Sequence, residues 1–133
     1  MLDQEIRRRF ERILGDISDH ATLERDWDSY GGNTPTQQAI AAAKHLVRAI
    51  FSQYEQKVGL RAVPYHASQV PNGGIEVEWQ SPSIDVEIEI GPRGEYAYLL
   101  IDRRGPRREM TERDNVSYEE VLQVISRMVE AQR

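Results

Sequence analysis

Apolar residues recur every three or four positions in three stretches of this chain, and every second position in a block between the second and third. Leu2, Ile6, Phe10, Ile13, Leu14 and Ile17 form one such stripe, which predicts an amphipathic helix. Gly15 weakens its last turns, and residues 16–19 read as a frayed end. Ile40, Ala43, Leu46, Val47, Ile50, Phe51 and Tyr54 form the buried face of a second helix. Thr34 can cap it, Pro35 suits its first position and Gln37 can close a capping box. Read this way it has about 22 residues and spans roughly 33 Å. A third helix carries Val121, Leu122, Val124, Ile125, Met128 and Val129, with Ser117 and Glu120 as its capping box.

The block between changes to a period of two, the signature of half-buried strands. Residues 63–70 read as a first strand, with Pro64 pushing it to a sheet edge or limiting its start. After the turn Pro71-Asn72-Gly73-Gly74, Ile75, Val77 and Trp79 alternate with Glu76 and Glu78. After Gln80-Ser81-Pro82-Ser83, Ile84, Val86, Ile88 and Ile90 alternate with Asp85, Glu87 and Glu89. Gly91-Pro92-Arg93-Gly94 turns the chain into residues 96–102, apolar on both faces and therefore central or under a helix. Residues 103–115 read as a charged loop. The expected fold is α+β, in the order α-α-β-β-β-β-α. A four-stranded antiparallel meander packs its helices on one face, in a single domain over residues 1–133.

Composition narrows the functional classes. The chain has 133 residues, 39% hydrophobic and 29% charged, which fits a globular domain rather than a disordered one. It contains no cysteine, so disulfide frameworks, thiolate zinc sites and thiol nucleophiles are excluded. No apolar run approaches the roughly 20 residues needed to span a bilayer. The acids in Met1-Leu2-Asp3-Gln4-Glu5 are unlike a signal peptide, so the expected location is the cytoplasm. The 17 Lys and Arg against 22 Asp and Glu leave a net charge of −5, which argues against nucleic acid as a partner. Two arginine patches, Arg7-Arg8-Arg9 with Arg12 and Arg103-Arg104-Gly105-Pro106-Arg107-Arg108, are the places a phosphate could touch. The second reads more simply as a solvated loop pairing with acids.

The acidic ladder is the sharpest candidate site. If the residue 80–83 turn closes a hairpin, Glu78 lies near Asp85 and Glu76 near Glu87, with Glu89 continuing the row. All five point away from the apolar face. Like charges on neighbouring strands repel, at about 0.2–1 kcal/mol per cross-strand pair. A basic partner protein, a divalent cation, or water with nearby arginines such as Arg93, Arg103 and Arg104 could offset this. Hydrolytic two-metal chemistry needs acids that converge on one point and a base beside them. Here the acids are spread along strands, and His66 is the one histidine nearby. No phosphate-binding glycine loop, serine elbow or cofactor motif is present, so no cofactor is expected.

Asp26-Trp27-Asp28-Ser29-Tyr30-Gly31-Gly32 is the second candidate. Trp27 and Tyr30 can anchor a loop by burying their rings while Asp28 accepts backbone N–H bonds, or the three can grip a partner's side chain. With Pro35, this segment followed by Pro71-Asn72-Gly73-Gly74-Ile75 and Glu78-Trp79 resembles a widespread group of small bacterial proteins without an established activity. The resemblance covers about residues 25–91. It implies that Trp27, Asp28, Tyr30, Gly74, Glu78 and Trp79 belong to one design, and that Trp79 packs near the Trp27 loop. It carries over no catalytic residue.

The expected function is therefore a non-enzymatic interaction module of a bacterial cytoplasm. It binds another protein, or a second copy of itself, through Trp27, Asp28, Tyr30, Glu76, Glu78, Asp85, Glu87 and Glu89. An antitoxin-like or immunity-like inhibitor of a basic partner is one form this could take. The alternatives are a metal-dependent hydrolase using the strand carboxylates and, more weakly, an RNA-binding accessory protein.

Overall fold

A computed structural model describes residues 2–19, 32–54 and 62–130. Its elements follow the order α1 (Leu2–Asp19), α2 (Gln37–Tyr54), β1 (His66–Val70), β2 (Gly74–Gln80), β3 (Ile84–Ile90), β4 (Tyr96–Asp102), β5 (Glu109–Val116) and α3 (Tyr118–Glu130). The sheet is an antiparallel meander in the order β1-β2-β3-β4-β5. It has five strands, not four. The expected charged loop over residues 103–115 contains β5, of which every residue except Val116 is exposed. Nothing in β5 alternates between core and solvent, so its hydropathy carries no strand signal. Its order comes from backbone pairing with β4.

The inward side chains of the sheet, Ile75, Val77, Trp79, Ile84, Val86, Ile88, Ile90, Tyr98 and Leu100, form one core with the helices. α1 lies against α2 and β1, α2 against β2 and β3, and α3 against β3 and β4. All three described helices cover one face, and among the described residues the other face is open. Phe10 of α1 stacks on Phe51 of α2 at 4.0 Å between ring centroids, which fixes the outer helix on the inner one. α1 continues through Gly15 to Asp19 instead of fraying before it, because buried Ile17 holds the last turn to the core.

The cap of α2 is Thr36, not Thr34. The Ala39 N–H donates to Thr36 Oγ1 at 3.1 Å, while the Thr36 hydroxyl donates to the Pro92 carbonyl at 2.6 Å. One residue thus satisfies a helix end and ties it to the β3–β4 turn. Ser117 caps α3 as expected, through the Glu120 N–H at 3.1 Å. The Glu120 carboxylate does not close the box, because it instead accepts from the Tyr98 hydroxyl at 3.3 Å. β1 starts at His66 rather than at 63, with Ala62, Val63 and Pro64 buried ahead of it. Trp79 is fully buried and donates its indole N–H to the Ala62 carbonyl at 3.3 Å.

The β2–β3 register differs from the expected one by one turn position. Glu76 faces Glu89, Glu78 faces Glu87, and Gln80 faces Asp85. The tight turn runs from Ser81 to Ile84, closed by the Ser81 N–H to the Ile84 carbonyl at 3.0 Å. Ser81 Oγ also accepts the Ile84 N–H at 3.0 Å. This places Pro82 second in the turn, where its fixed φ is favourable; the expected turn would have placed it third, where it is disfavoured. In the preceding hairpin, a side chain on Gly74 would put its Cβ 2.3 Å from the Ile90 carbonyl oxygen, so only glycine lets β2 and β3 meet there.

Candidate functional site: an acidic open sheet face

The open face collects side chains from all five strands. Cross-strand rows run His66, Glu78, Glu87, Leu99, Glu112; then Ser68, Glu76, Glu89, Ala97; then Gln80, Asp85, Ile101, Met110. Every acid expected on this face is there. β5 adds Glu112 and, beside a bulge in its pairing with β4, Asp114. The bulge includes Asn115 at φ 52°, a left-handed conformation that asparagine tolerates better than most residues. Glu76, Glu87, Glu89, Glu112 and Asp114 share the rim of a shallow cavity of about 280 Å³, floored by Ala97 and Leu99.

Cations are scarce there. Of the seven acids Glu76, Glu78, Asp85, Glu87, Glu89, Glu112 and Asp114, Asp85 alone has an ion pair among the described residues. Both its oxygens accept from the Arg103 guanidinium, at 2.9 and 3.1 Å. The other arginine of that loop with a carboxylate partner, Arg104, clamps Asp102 instead and holds its carboxyl down at about 2. Arg103 and Arg104 thus pair with acids of β3 and β4 rather than with the acids that follow them in sequence.

Glu76 records the crowding. Partial burial, followed by hydrogen bonding and repulsion from Glu78 and Glu87, pushes its carboxyl up to about 8. Glu76, Glu78 and Glu87 each bring a carboxylate oxygen within 4.8 Å of the others, a separation at which one divalent cation could touch all three. His66 ends the same row across from Glu78, exposed. The face therefore offers concentrated acceptors, with one proton held near neutral pH and an apolar strip of Leu99, Ile101 and Met110 alongside.

Trp27, Asp28 and Tyr30 lie outside the described residues, as does any packing of that loop on Trp79. Glu112, Asp114, Leu99, Ile101 and Met110 were not among the expected site residues. The apolar outer positions of β4 were the available signal, since a strand apolar on both faces leaves one apolar strip uncovered. A larger cleft of about 480 Å³ lies elsewhere, between α1 and the β2–β3 turn, lined by Arg9, Arg12, Tyr65 and Pro82 among others. It is basic and shares none of the seven acids, touching the acidic face only at Gln80. Among the described residues, no helix is long and apolar enough to cross a membrane. No protein-family model, curated protein or solved structure matches the chain.

Proposed function

We propose that this chain is a non-enzymatic interaction module whose open sheet face binds a basic protein partner. The observation that supports this most is the charge imbalance of the face: seven carboxylates, of which only Asp85 pairs with a cation among the described residues. A partner's arginines and lysines would remove the repulsion among Glu76, Glu78 and Glu87, and its apolar side chains would cover Leu99, Ile101 and Met110. Opposite charge would also speed encounter, since the whole chain carries −5. An inhibitor of a basic protein in a bacterial cytoplasm fits this chemistry.

Titration calorimetry with a nona-arginine peptide tests it. The double variant Glu78→Lys/Glu87→Lys should lose binding, while Glu11→Lys/Asp16→Lys, with the same change in net charge on exposed positions of α1, should keep most of it. Equal loss in both variants would reduce the face to bulk charge and end the proposal. The competing reading is a divalent-cation site at Glu76, Glu78 and Glu87, supported by their spacing. It calls for a saturable rise in the unfolding midpoint with Mg²⁺, Mn²⁺ or Ca²⁺ that Glu87→Gln abolishes.

A further inference from the structure

The two edges of the sheet differ. β1 is short and lies against α1. β5 is eight residues long, exposed on both faces over seven of them, and among the described residues strongly paired on one side only, to β4. Its far edge presents a row of backbone N–H and C=O groups, the template that another strand would pair with. Charged side chains often protect such an edge. Here they are arranged so that one register with a second copy of the same strand matches them.

Two copies of β5 related by a two-fold axis perpendicular to the sheet must pair antiparallel, with each residue opposite one on the same face. Placing the axis at Thr111 sets Glu109 opposite Arg113 twice and Arg108 opposite Asp114 twice, giving four opposite-charge pairs. Moving it to Glu112 sets that glutamate against itself. Moving it to Arg113 opposes Arg113 to its copy and Glu112 to Asp114 twice. Moving it to Met110 opposes Arg107 to Arg113 twice. The Thr111 register is the one among these without a like-charge pair.

Among the described residues, the single chain leaves three of these four groups without an ion pair. Glu109 sits opposite Asp102 of its own β4, and among the described residues neither it nor Asp114 has an ion pair. Among the described residues the Arg108 guanidinium reaches only the Met110 sulfur, at 3.7 Å. Arg113 has a long ion pair with Glu120 at 3.6 Å, and that carboxylate also accepts from Tyr98. Met110, one of two large apolar side chains left exposed among the described residues, would lie opposite Glu112 of the second copy and diagonal to its Met110. There is room for the helices. α3 covers β3 and β4, so the two copies of α3 would stand four strand spacings apart, about 19 Å, against a helix diameter of about 10 Å. The charge of −5 on each chain opposes approach, but at physiological salt it is screened beyond about 8 Å while touching pairs are not.

We propose that the chain self-associates through β5, pairing it with β5 of a second copy about a two-fold axis at Thr111. The product is a continuous sheet built from two five-stranded ones. It carries all six helices on one side and two acidic faces, merged, on the other.

Cysteine cross-linking in the cysteine-free chain tests the register, and sedimentation tests the association. In an antiparallel pair, opposed Cα atoms are about 4.5–5.5 Å apart, inside the range of about 4.4–6.8 Å that a disulfide spans. Thr111→Cys should therefore form a disulfide dimer under mild oxidation much faster than Glu112→Cys. Glu109→Cys, more than about 13 Å from its copy, should not. Glu109→Arg alone and Arg113→Glu alone should each raise the dimer dissociation constant roughly tenfold. Mixing the two should restore association, because the mixed pair regains Arg opposite Glu on both sides. A chain that sediments as a monomer up to millimolar concentration overturns the proposal. So does equal cross-linking at all three positions, faster cross-linking at Glu112→Cys, or a mixture no tighter than its components. A monomer that instead pairs β5 with a strand of another protein would show the first of these results.

Discussion

Glu78 stands directly opposite Glu87 across β2 and β3, on the face of the sheet that none of the described helices covers. Two like charges in that relation repel, and each has Glu76 as a further neighbour. Glu87→Lys should turn the repulsion into an attraction and stabilise the fold by about 0.5–1 kcal/mol in urea unfolding, while weakening the binding of a basic peptide. A variant that loses stability would show that the acids are already matched within the chain.

Glu76 gives the fold a definite pH dependence. Its carboxyl is raised to about 8 in the folded chain, against the ordinary value of 4.5, so the folded state holds a proton that the unfolded state releases. Stability should therefore fall as pH rises through the window between those values, and most of the loss should come before about pH 8. Glu76→Gln should flatten the slope and raise the midpoint above pH 8 by about 4 °C, on the order of 1 kcal/mol after allowing for solvent screening of a half-exposed group. Thermal unfolding of both proteins from about pH 5 to about pH 9 checks this, and parallel curves would contradict it.

Trp79 joins the acidic strand to the core, and its indole N–H serves the Ala62 carbonyl. Trp79→Phe should cost about 1–3 kcal/mol, from lost volume and an unpaired buried carbonyl. Trp79→Ala should cost about 3–5 kcal/mol. Chemical denaturation measures both.

Two glycines should respond in opposite directions. Gly15 is inside α1, and nothing lies within 4 Å of where a Cβ would stand, so Gly15→Ala should stabilise the chain by up to about 1 kcal/mol. Gly74→Ala drives a methyl group into the Ile90 carbonyl and should destabilise by more than about 2 kcal/mol. Midpoint shifts of opposite sign in one melting experiment are the expected result.

The helices and β2 to β4 were legible in the sequence because each buries one face and exposes the other. That alternation also put Glu76, Glu78, Asp85, Glu87 and Glu89 on a common face. β5 was not legible. It buries only Val116, so its strand character lies in hydrogen bonds to β4 that leave no pattern in the side chains. Missing β5 also hid Glu112 and Asp114. The hairpin register turned on Pro82: its preference for the second turn position moves every cross-strand partner by two residues, and it makes Glu78 face Glu87 rather than Asp85. Thr36 displaced Thr34 as the cap because its hydroxyl also reaches Pro92, a contact distant in sequence.

Amide NMR of the labelled protein, titrated with a nona-arginine peptide, tests the central claim most directly. An interaction surface on the open face predicts shifts concentrated on Glu76, Glu78, Glu87, Glu89, Glu112 and their strand neighbours Leu99 and Ile101, with α2 and the inner face of the sheet unmoved. Shifts scattered over the exposed acids of α1 and α3 as strongly as over the sheet would contradict it, and so would a spectrum that does not change.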